Sequence, residues 1–489
     1  MLSKTASLPV TSNFANGQMM PSSDGRTFDV INPADNQLVG KAQLSSVEDA
    51  KMVIDLAYEC RERQKWESNH KARMTAILRW ADLLHAERES LARVLTLENG
   101  KPLKQAQAEV DNSIDHLRYY AGFARTIYGR SMGLTDASFS VLIREPMGVV
   151  GHIVPWNYPL VLLFRSLAAS LAAGNVAIVK PASYTPLTTF RMVELAQKVP
   201  EFLPGALNFV TGPGNVVGAE ICRNSKVDMV ALTGDTLTGK AILRLAAENI
   251  KKVSLELGGK SPNIVFPDAD FDKAMGGAIT GAFTAAGQIC FAASRLLVER
   301  SIHDKFVRLM KEKAESMKVG NGLDDKTDIG PIITKGQTDR VMEYIEGGRK
   351  EAKLVTGGNR LTQGELSRGN FIAPTIFDDV PTKSPIAQEE IFGPVVSVFE
   401  FSTEEEAATL ANNTQYGLSA ALWTNDVNRV FRLARRIRAG TVWVNTYGKT
   451  FAETEFGGYK QSGIGRERGI DGLREFTQLK NVYFELAKA

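Results

Sequence analysis

Long apolar runs, paired cysteines and a dominant charge are all missing from this chain of 489 residues. No window approaches the ~18 consecutive apolar residues of a membrane span. The N-terminus, MLSKTASLPVTSNFANGQMM, has no basic start followed by an apolar block, so no secretory leader is expected. Cys60, Cys222 and Cys290 are the three cysteines, and they are too widely spaced for a disulfide framework or a zinc pattern. His70, His85, His116, His152 and His303 are scattered and add no metal-ligand spacing, so no metal is expected. The formal net charge is +3 with no basic cluster, which leaves nucleic acid without an electrostatic footprint. A reducing cytoplasm is the simplest expected compartment, and neither a membrane nor a nucleic acid is an expected partner.

The length exceeds what one compact core holds, so two or three domains are expected. Asn, Pro and Gly mark the first ~45 residues. Residues 46–127 carry helical spacing, and ARMTAILRWADLLHAERESLARVLTLENGK stops at Gly100. Residues 128–146 switch to β-like content between turn signals, as a short two-stranded excursion. From residue 147 strands and helices alternate: MGVVGHIV, VAIVK, ALNFV, VDMVALT and KKVSLEL read as strands with helical segments between them. That alternation predicts an α/β fold with a doubly wound parallel sheet, whose ligands sit beyond the carboxyl ends of the strands. After Gly259 a second α/β series follows, with strands at RLLVE, FIAPTIF, PVVSVFEF, LSAALWT and GTVWVN, and a late strand at TQLKNVYFEL.

Five stretches at strand ends or in loops carry candidate chemistry. Gly212, Gly214 and Gly218 in TGPGNVVG give GxGxxxG, which a tight turn explains as readily as a nucleotide site. In LTGDTLTGK, Gly234 permits a close turn and Asp235 or Thr236 can cap a helix, a natural place for a pyrophosphate. Glu256 alternates with Val253, Leu255 and Leu257, so it leaves its strand on the polar side. There it is either a solvated carboxylate or, in a crevice, a general base. Asn157 in VPWNYP is stiffened by Pro155 and Pro159; it is a plain turn or a donor to a developing oxyanion. Cys290 lies among small residues in AAGQICFAASR, where another molecule can approach closely. Cys60 and Cys222 read as small core residues.

In order, VPWNYP, IVKPASYTP, LTGDTLTG, LELGGKSPNIV, GQIC, EEIFGPV and FGGYKQSGIGRE closely resemble the NAD(P)-dependent aldehyde dehydrogenase superfamily, over nearly the whole chain. The resemblance implies an NAD(P)-binding domain from 1–127 and 147–256 and a catalytic domain from 257–456. It implies a small β oligomerisation element and C-terminal segment from 128–146 and 457–489, and a homodimer or homotetramer. It implies Cys290 as nucleophile, Glu256 as the base that activates water, and Asn157 with the Cys290 N–H as oxyanion hole. Lys180 matches the residue that binds the adenosine ribose, and Glu390 and Phe392 match those that hold the nicotinamide ribose and ring. Gly234 belongs to the pyrophosphate turn, with Trp156 and Gly214 also expected on the cofactor side. Glu467 matches a second acid that some members place in a proton path. Either NAD or NADP is the implied cofactor, and a small aldehyde the substrate.

The chain departs from the family pattern at several points. Ser183 stands where strictly NAD-using relatives often carry a glutamate that repels a 2′-phosphate, so NADP should be tolerated. Asp235 stands where the family usually has a serine beside the pyrophosphate, which puts an acid near phosphates. Arg165 and Thr284 replace tryptophans of an aromatic box, while Tyr158 and Tyr447 remain. Arg165 either clamps a substrate carboxylate, as expected for succinate semialdehyde, or faces bulk water near the tunnel mouth. A small polar or carboxylated aldehyde such as succinate semialdehyde is the first expectation. Betaine or amino aldehydes, and aromatic or hydroxy aldehydes, are the alternatives. Glu256 argues against transfer to coenzyme A, and Glu256 with Cys290 argues against a non-enzymatic nucleotide-binding protein.

Overall fold

The computed structural model describes residues 9–63 and 65–486. Five parallel strands lie side by side in the order Leu207–Phe209, Val176–Lys180, Val149–Ile153, Met229–Thr233 and Lys252–Glu256. The chain order reverses between Val149–Ile153 and Met229–Thr233, which makes the crevice beyond their carboxyl ends the switch point of a doubly wound sheet. An antiparallel hairpin, Asn13–Ala15 with Gln18–Met20, extends one edge, and the short strand Gly463–Ile464 closes the other.

A second sheet has the order Lys353–Thr356, Thr375–Asp378, Val395–Phe401, Arg295–Glu299, Pro262–Val265, Ser419–Trp423 and Thr441–Val444. It is parallel except for its first pair. The sequence pattern missed two of these strands. Pro262–Val265 is four residues long and opens on a proline, and Lys353–Thr356 is an edge strand without apolar alternation. One hydrophobic core runs from Phe14 to Leu257 and takes in Leu473 and Phe476; a second runs from Ile264 to Ala439.

Thr477–Glu485 pairs with Ser138–Pro146 along nine residues, and Arg130–Thr135 flanks them, forming a three-stranded antiparallel sheet. Met132, Leu134, Leu479 and Tyr483 are exposed on it. Residues 463–485 divide between two sheets. Gly463–Ile464 and the helix Gly469–Glu475 join the first sheet and its core, and only Thr477–Glu485 joins the small sheet.

The helical stretch ending at Gly100 is two helices, His70–Ala86 and Arg88–Asn99, and Gly100 closes the second in a left-handed conformation. The helix Pro159–Ala173, after the first parallel strand, is buried along its whole length. Its own residues do not cap it. Instead Glu109, from the helix Leu103–Phe123, accepts from the Leu160 and Val161 N–H groups at 2.9 and 3.3 Å. Glu98 does the same for the next helix, Pro186–Ala196, accepting from Leu187 and Thr188 N–H at 2.8 and 3.0 Å. First-turn N–H groups buried without partners would be costly, and these two distant carboxylates satisfy them.

Candidate active site

Four of the five chemistry-bearing stretches, all but TGPGNVVG, converge beyond the carboxyl ends of Val149–Ile153, Met229–Thr233 and Lys252–Glu256. Two cavities meet there. One, of about 320 Å³, is lined by Trp156, Gly234, Asp235, Arg340, Glu390 and Phe392 among others. The other, of about 290 Å³, is lined by Tyr158, Arg165, Thr284, Phe291, Tyr447 and Arg468 among others. Asn157, Leu162 and Cys290 belong to both. Cys290 thus stands at a junction that two different molecules can reach from opposite sides.

Backbone strain and close approaches set the cysteine. The helix Phe271–Phe283 ends at Thr284, and Ala285, Ala286 and Gly287 follow with φ of 50°, 56° and 71°. Left-handed alanines cost energy and persist only where the surroundings hold them. Gln288 supplies that hold: its side chain donates to the Ala285 and Pro331 carbonyls at 2.9 and 3.2 Å and accepts from Ile333 N–H at 2.9 Å. On the far side, a Cβ on Gly258 would run into the Glu390 carboxylate and one on Gly259 into the Cys290 carbonyl. The two glycines therefore let Glu390 and the cysteine loop close onto the end of the Glu256 strand. The Gly259 N–H donates to Glu390 Oε1 at 3.2 Å.

Asn157 is buried and donates from Nδ2 to the Gln288 carbonyl at 2.9 Å, so its amide faces the cysteine loop. Its backbone is pinned from behind. Lys101 Nζ donates to the Asn157 carbonyl at 2.7 Å and pairs with Glu109 in a buried ion pair. The same ammonium lies 3.5 Å from the centre of the Tyr158 ring. Asn99 Nδ2 donates to the Trp156 carbonyl at 2.8 Å. None of Asn99, Lys101 and Glu109 stood out in the sequence, because nothing in their spacing couples them to VPWNYP.

Glu256 is buried, not solvated, because the sheet is covered on both faces; its Oε1 has no hydrogen-bond partner among the described residues. Burial, and Glu467 beside it, push its carboxyl well above the usual range against the pull of Arg165, Arg466 and Arg468. Cys290 is half-buried and lines both cavities. Burial pushes that thiol up to about 12, with Arg165 pulling down and Glu390 and Glu256 pushing further up. Burial likewise raises Glu390 to about 7.

Arg165 does not face bulk water. It sits on the fully buried helix, its Nε 2.7 Å from Glu467 Oε2, and it lines the second cavity. Arg468, which the sequence reading did not single out, lines it too; both guanidinium groups lie over the Phe456 ring, at 5.4 and 5.5 Å. Tyr447 packs beside Gly281 and donates from its hydroxyl to the Phe291 carbonyl at 2.6 Å.

On the other side, Trp156 and Phe392 meet edge to face at 5.3 Å. Asp235 is the exposed N-cap of the helix Thr236–Ala246, accepting from Thr238 N–H at 2.9 Å and Thr238 Oγ1 at 2.7 Å. Lys180, Ser183 and Gly214 do not line this cavity. Lys180 ends the neighbouring strand Val176–Lys180 and donates to the Pro181 carbonyl at 2.7 Å. Ser183 follows it in the loop, and Gly214 opens the π-helical turn Gly214–Gly218, whose Gly218 approaches the Lys180 side chain. Among the described residues no three His, Cys, Asp or Glu side chains gather as a metal site, and no helix is long and apolar enough to cross a membrane.

Residues 19–482 match the aldehyde dehydrogenase family. The chain is 42% identical over 476 residues to the betaine aldehyde dehydrogenase of Bacillus subtilis (strain 168), covering 96% of each chain. It is 41% identical to an aldehyde dehydrogenase of Emericella nidulans, covering 97% of this chain and 95% of the other. Among solved structures, the betaine aldehyde dehydrogenase of Staphylococcus aureus in complex with NAD+ superposes with a TM-score of 0.96 at 37% identity, over 98% of this chain and 95% of that one. With the motifs, the two-sheet fold and the junction at Cys290 all in agreement, this chain belongs to the aldehyde dehydrogenase family.

Proposed function

We propose that the protein oxidises a small polar aldehyde to its carboxylic acid with NAD or NADP, and that betaine or amino aldehydes are its substrate class. The observation that carries the reaction is the meeting of two cavities at Cys290 and Asn157. The names of the relatives support betaine-type aldehydes over succinate semialdehyde. So do the aromatic residues Tyr158, Phe291 and Tyr447 that line the second cavity, and an Arg165 already paired with Glu467.

The first cavity fits a dinucleotide. Gly234 leaves it free of side chain beside the start of the helix Thr236–Ala246, and Trp156, Phe392 and Glu390 supply two rings and a carboxylate. Lys180, drawn down to about 8 by burial, and the uncharged Ser183 stand at the next strand end for a ribose with or without a 2′-phosphate. When bound, the dinucleotide supplies the hydride acceptor.

The remaining steps belong to the chain. Cys290 Sγ attacks the aldehyde carbon, and the oxyanion faces Asn157 Nδ2 and the Cys290 N–H. Loss of hydride leaves a thioester on Cys290. Glu256, at the end of its strand, takes a proton from a water that attacks the thioester, and the acid leaves with the thiol restored. An unperturbed thiol is only about 3% thiolate at pH 7, and burial lowers that further here. The thiol must therefore lose its proton as the site fills, to Glu256 or to a water on it. The exposed apolar side chains on the three-stranded sheet support assembly into a homodimer or homotetramer.

Progress curves of reduced cofactor, followed with NAD and with NADP and with or without coenzyme A, test the reading. Cys290→Ala should lose all turnover. Glu256→Gln should keep a stoichiometric burst and lose the steady state by about 100-fold or more. Full steady-state turnover in Cys290→Ala would end the assignment.

A further inference from the structure

Arg165 is the residue that most needs an account. The helix Pro159–Ala173 buries it completely, and a buried guanidinium is kept only where charge and hydrogen bonds compensate it. Its Nε lies 2.7 Å from Glu467 Oε2, and Nη2 donates to Thr233 Oγ1 at 3.4 Å. Nε has no aligned acceptor, so the pair is a contact of charges and leaves the guanidinium able to serve a second carboxylate. The main chain at Glu467 is held in place. Its N–H donates to the Phe456 carbonyl and its carbonyl accepts from Phe456 N–H, both at 2.8 Å, and Phe456 lies under the guanidinium.

The candidate second carboxylate is Glu256, which stands in register beside Thr233, the residue that Arg165 Nη2 reaches. Glu467, Arg165, Arg466 and Arg468 are the charges that act on Glu256, and Glu256 in turn acts on the Cys290 thiol. Across from them, the helix Leu103–Phe123 presents His116, driven to about 3 by burial and by Arg468, and Tyr120, which burial keeps protonated. The cluster therefore holds two buried acids, Glu256 and Glu467, against a short set of arginines. Of these, Arg165 alone is in contact with Glu467 while also acting on Glu256 and on the Cys290 thiol.

We propose that Arg165 is a positioning residue of the hydrolytic half-reaction: paired with Glu467, it is the fixed counter-charge that lets Glu256 ionise and act as base, and it does not bind a substrate carboxylate. The inference rests on the proposed roles of Cys290 and Glu256. Its physical content is a sign. Removing the arginine raises the pH at which the acid pair gives up its proton. Removing Glu467 takes a like charge away from Glu256 and leaves Arg165 to it alone, which lowers that pH.

The experiment compares the pH dependence of kcat for wild type, Arg165→Gln, Arg165→Lys and Glu467→Gln. The acid limb should move up by about one unit or more in Arg165→Gln, move down in Glu467→Gln, and return close to wild type in Arg165→Lys. At pH 7, Arg165→Gln should lose about tenfold in kcat while its burst amplitude stays stoichiometric. Loss of packing alone would not shift the two neutral variants in opposite directions. The wild-type protein provides an arm that needs no variant: kcat/KM for succinate semialdehyde against butyraldehyde, which has the same chain length without the carboxylate. The expected ratio is within about threefold of one; a clamp would favour the carboxylated aldehyde by tenfold or more. Such a preference, lost in Arg165→Gln, overturns the inference, as does an acid limb that stays put in that variant. A burst that survives Cys290→Ala overturns the site reading beneath it, and is a separate outcome.

Discussion

The two sides of Cys290 are built on different principles. The cavity proposed for the dinucleotide depends on close backbone approaches at glycines, with Gly234 and Gly258 lining it beside the start of the helix Thr236–Ala246, and on a few side chains, Trp156, Arg340, Glu390 and Phe392. The cavity proposed for the aldehyde is framed by side chains from five separate segments, around residues 105–112, 157–165, 280–291, 447–450 and 468, with buried charges behind them. A cofactor of constant shape can be met by a fixed backbone. A substrate that varies across a family has to be met by side chains that can be exchanged without disturbing the sheet.

The strongest way to break this division is to remove what both sides share. Lys101 and Glu109 pin the 156–161 backbone from behind: the ammonium through the Asn157 carbonyl and the Tyr158 ring, the carboxylate through the Leu160 and Val161 N–H groups. Lys101→Met leaves Glu109 buried without its cation, a loss of about 3–5 kcal/mol of stability. In the folded fraction, kcat should fall by about 10- to 100-fold for every aldehyde, because Asn157 loses its fixed place. Thermal unfolding and the burst rate constant check the two effects separately. Adding Glu109→Gln should recover part of the stability, since the unpaired charge is then gone. A burst rate equal to wild type, at reduced amplitude, would show that the pair only holds the fold.

This contrast also explains what the sequence made legible. Glycine and proline motifs report backbone geometry, so VPWNYP, LTGDTLTG and LELGG marked strand ends where chemistry could sit, but only the family resemblance joined them to EEIFGPV and gave Glu256, Asn157 and Cys290 their expected roles. The parallel strands were plain from their apolar runs, apart from short Pro262–Val265; the antiparallel edge strand Lys353–Thr356 was missed as well. The ion pairs were not legible. Arg165 and Glu467 are 302 positions apart by their numbers, and the fold brings them together through the pairing of Gly463–Ile464 with the Glu256 strand and the bridge from Glu467 to Phe456, which lies under the guanidinium. Arg468 was missed for the same reason, and Arg165 was offered a solvent-facing place that its wholly buried helix rules out.

A smaller and one-sided effect is expected from Gly258→Ala. The added methyl collides with the Glu390 carboxylate, which must withdraw from the Gly259 N–H. KM for the dinucleotide should rise by about tenfold, the scale of one lost charge-assisted hydrogen bond, while KM for the aldehyde changes little. Steady-state kinetics with each substrate varied in turn checks this. An equal rise in both constants would mean that the two cavities are not separable at the Glu256 strand end.

Asp235 gives the smallest effect, and its sign is the informative part. Its carboxylate caps the helix Thr236–Ala246 through Thr238, and a negative charge at a helix start is favourable in itself. A pyrophosphate brought to the same helix start needs the same N–H groups and the same positive end of the dipole, so cap and cofactor compete. Asp235→Ser keeps a capping oxygen and removes the charge. Stability should move by less than about 1 kcal/mol, and KM for the dinucleotide should fall two- to threefold, on the order of one partly screened charge pair at an exposed site. The difference between wild type and variant should close as salt is raised, because the carboxylate is exposed and its field is screened within about 10 Å at 0.1 M. A KM that rises instead, and does so independently of salt, would mean that Asp235 assists the cofactor by fixing the turn rather than opposing it by charge.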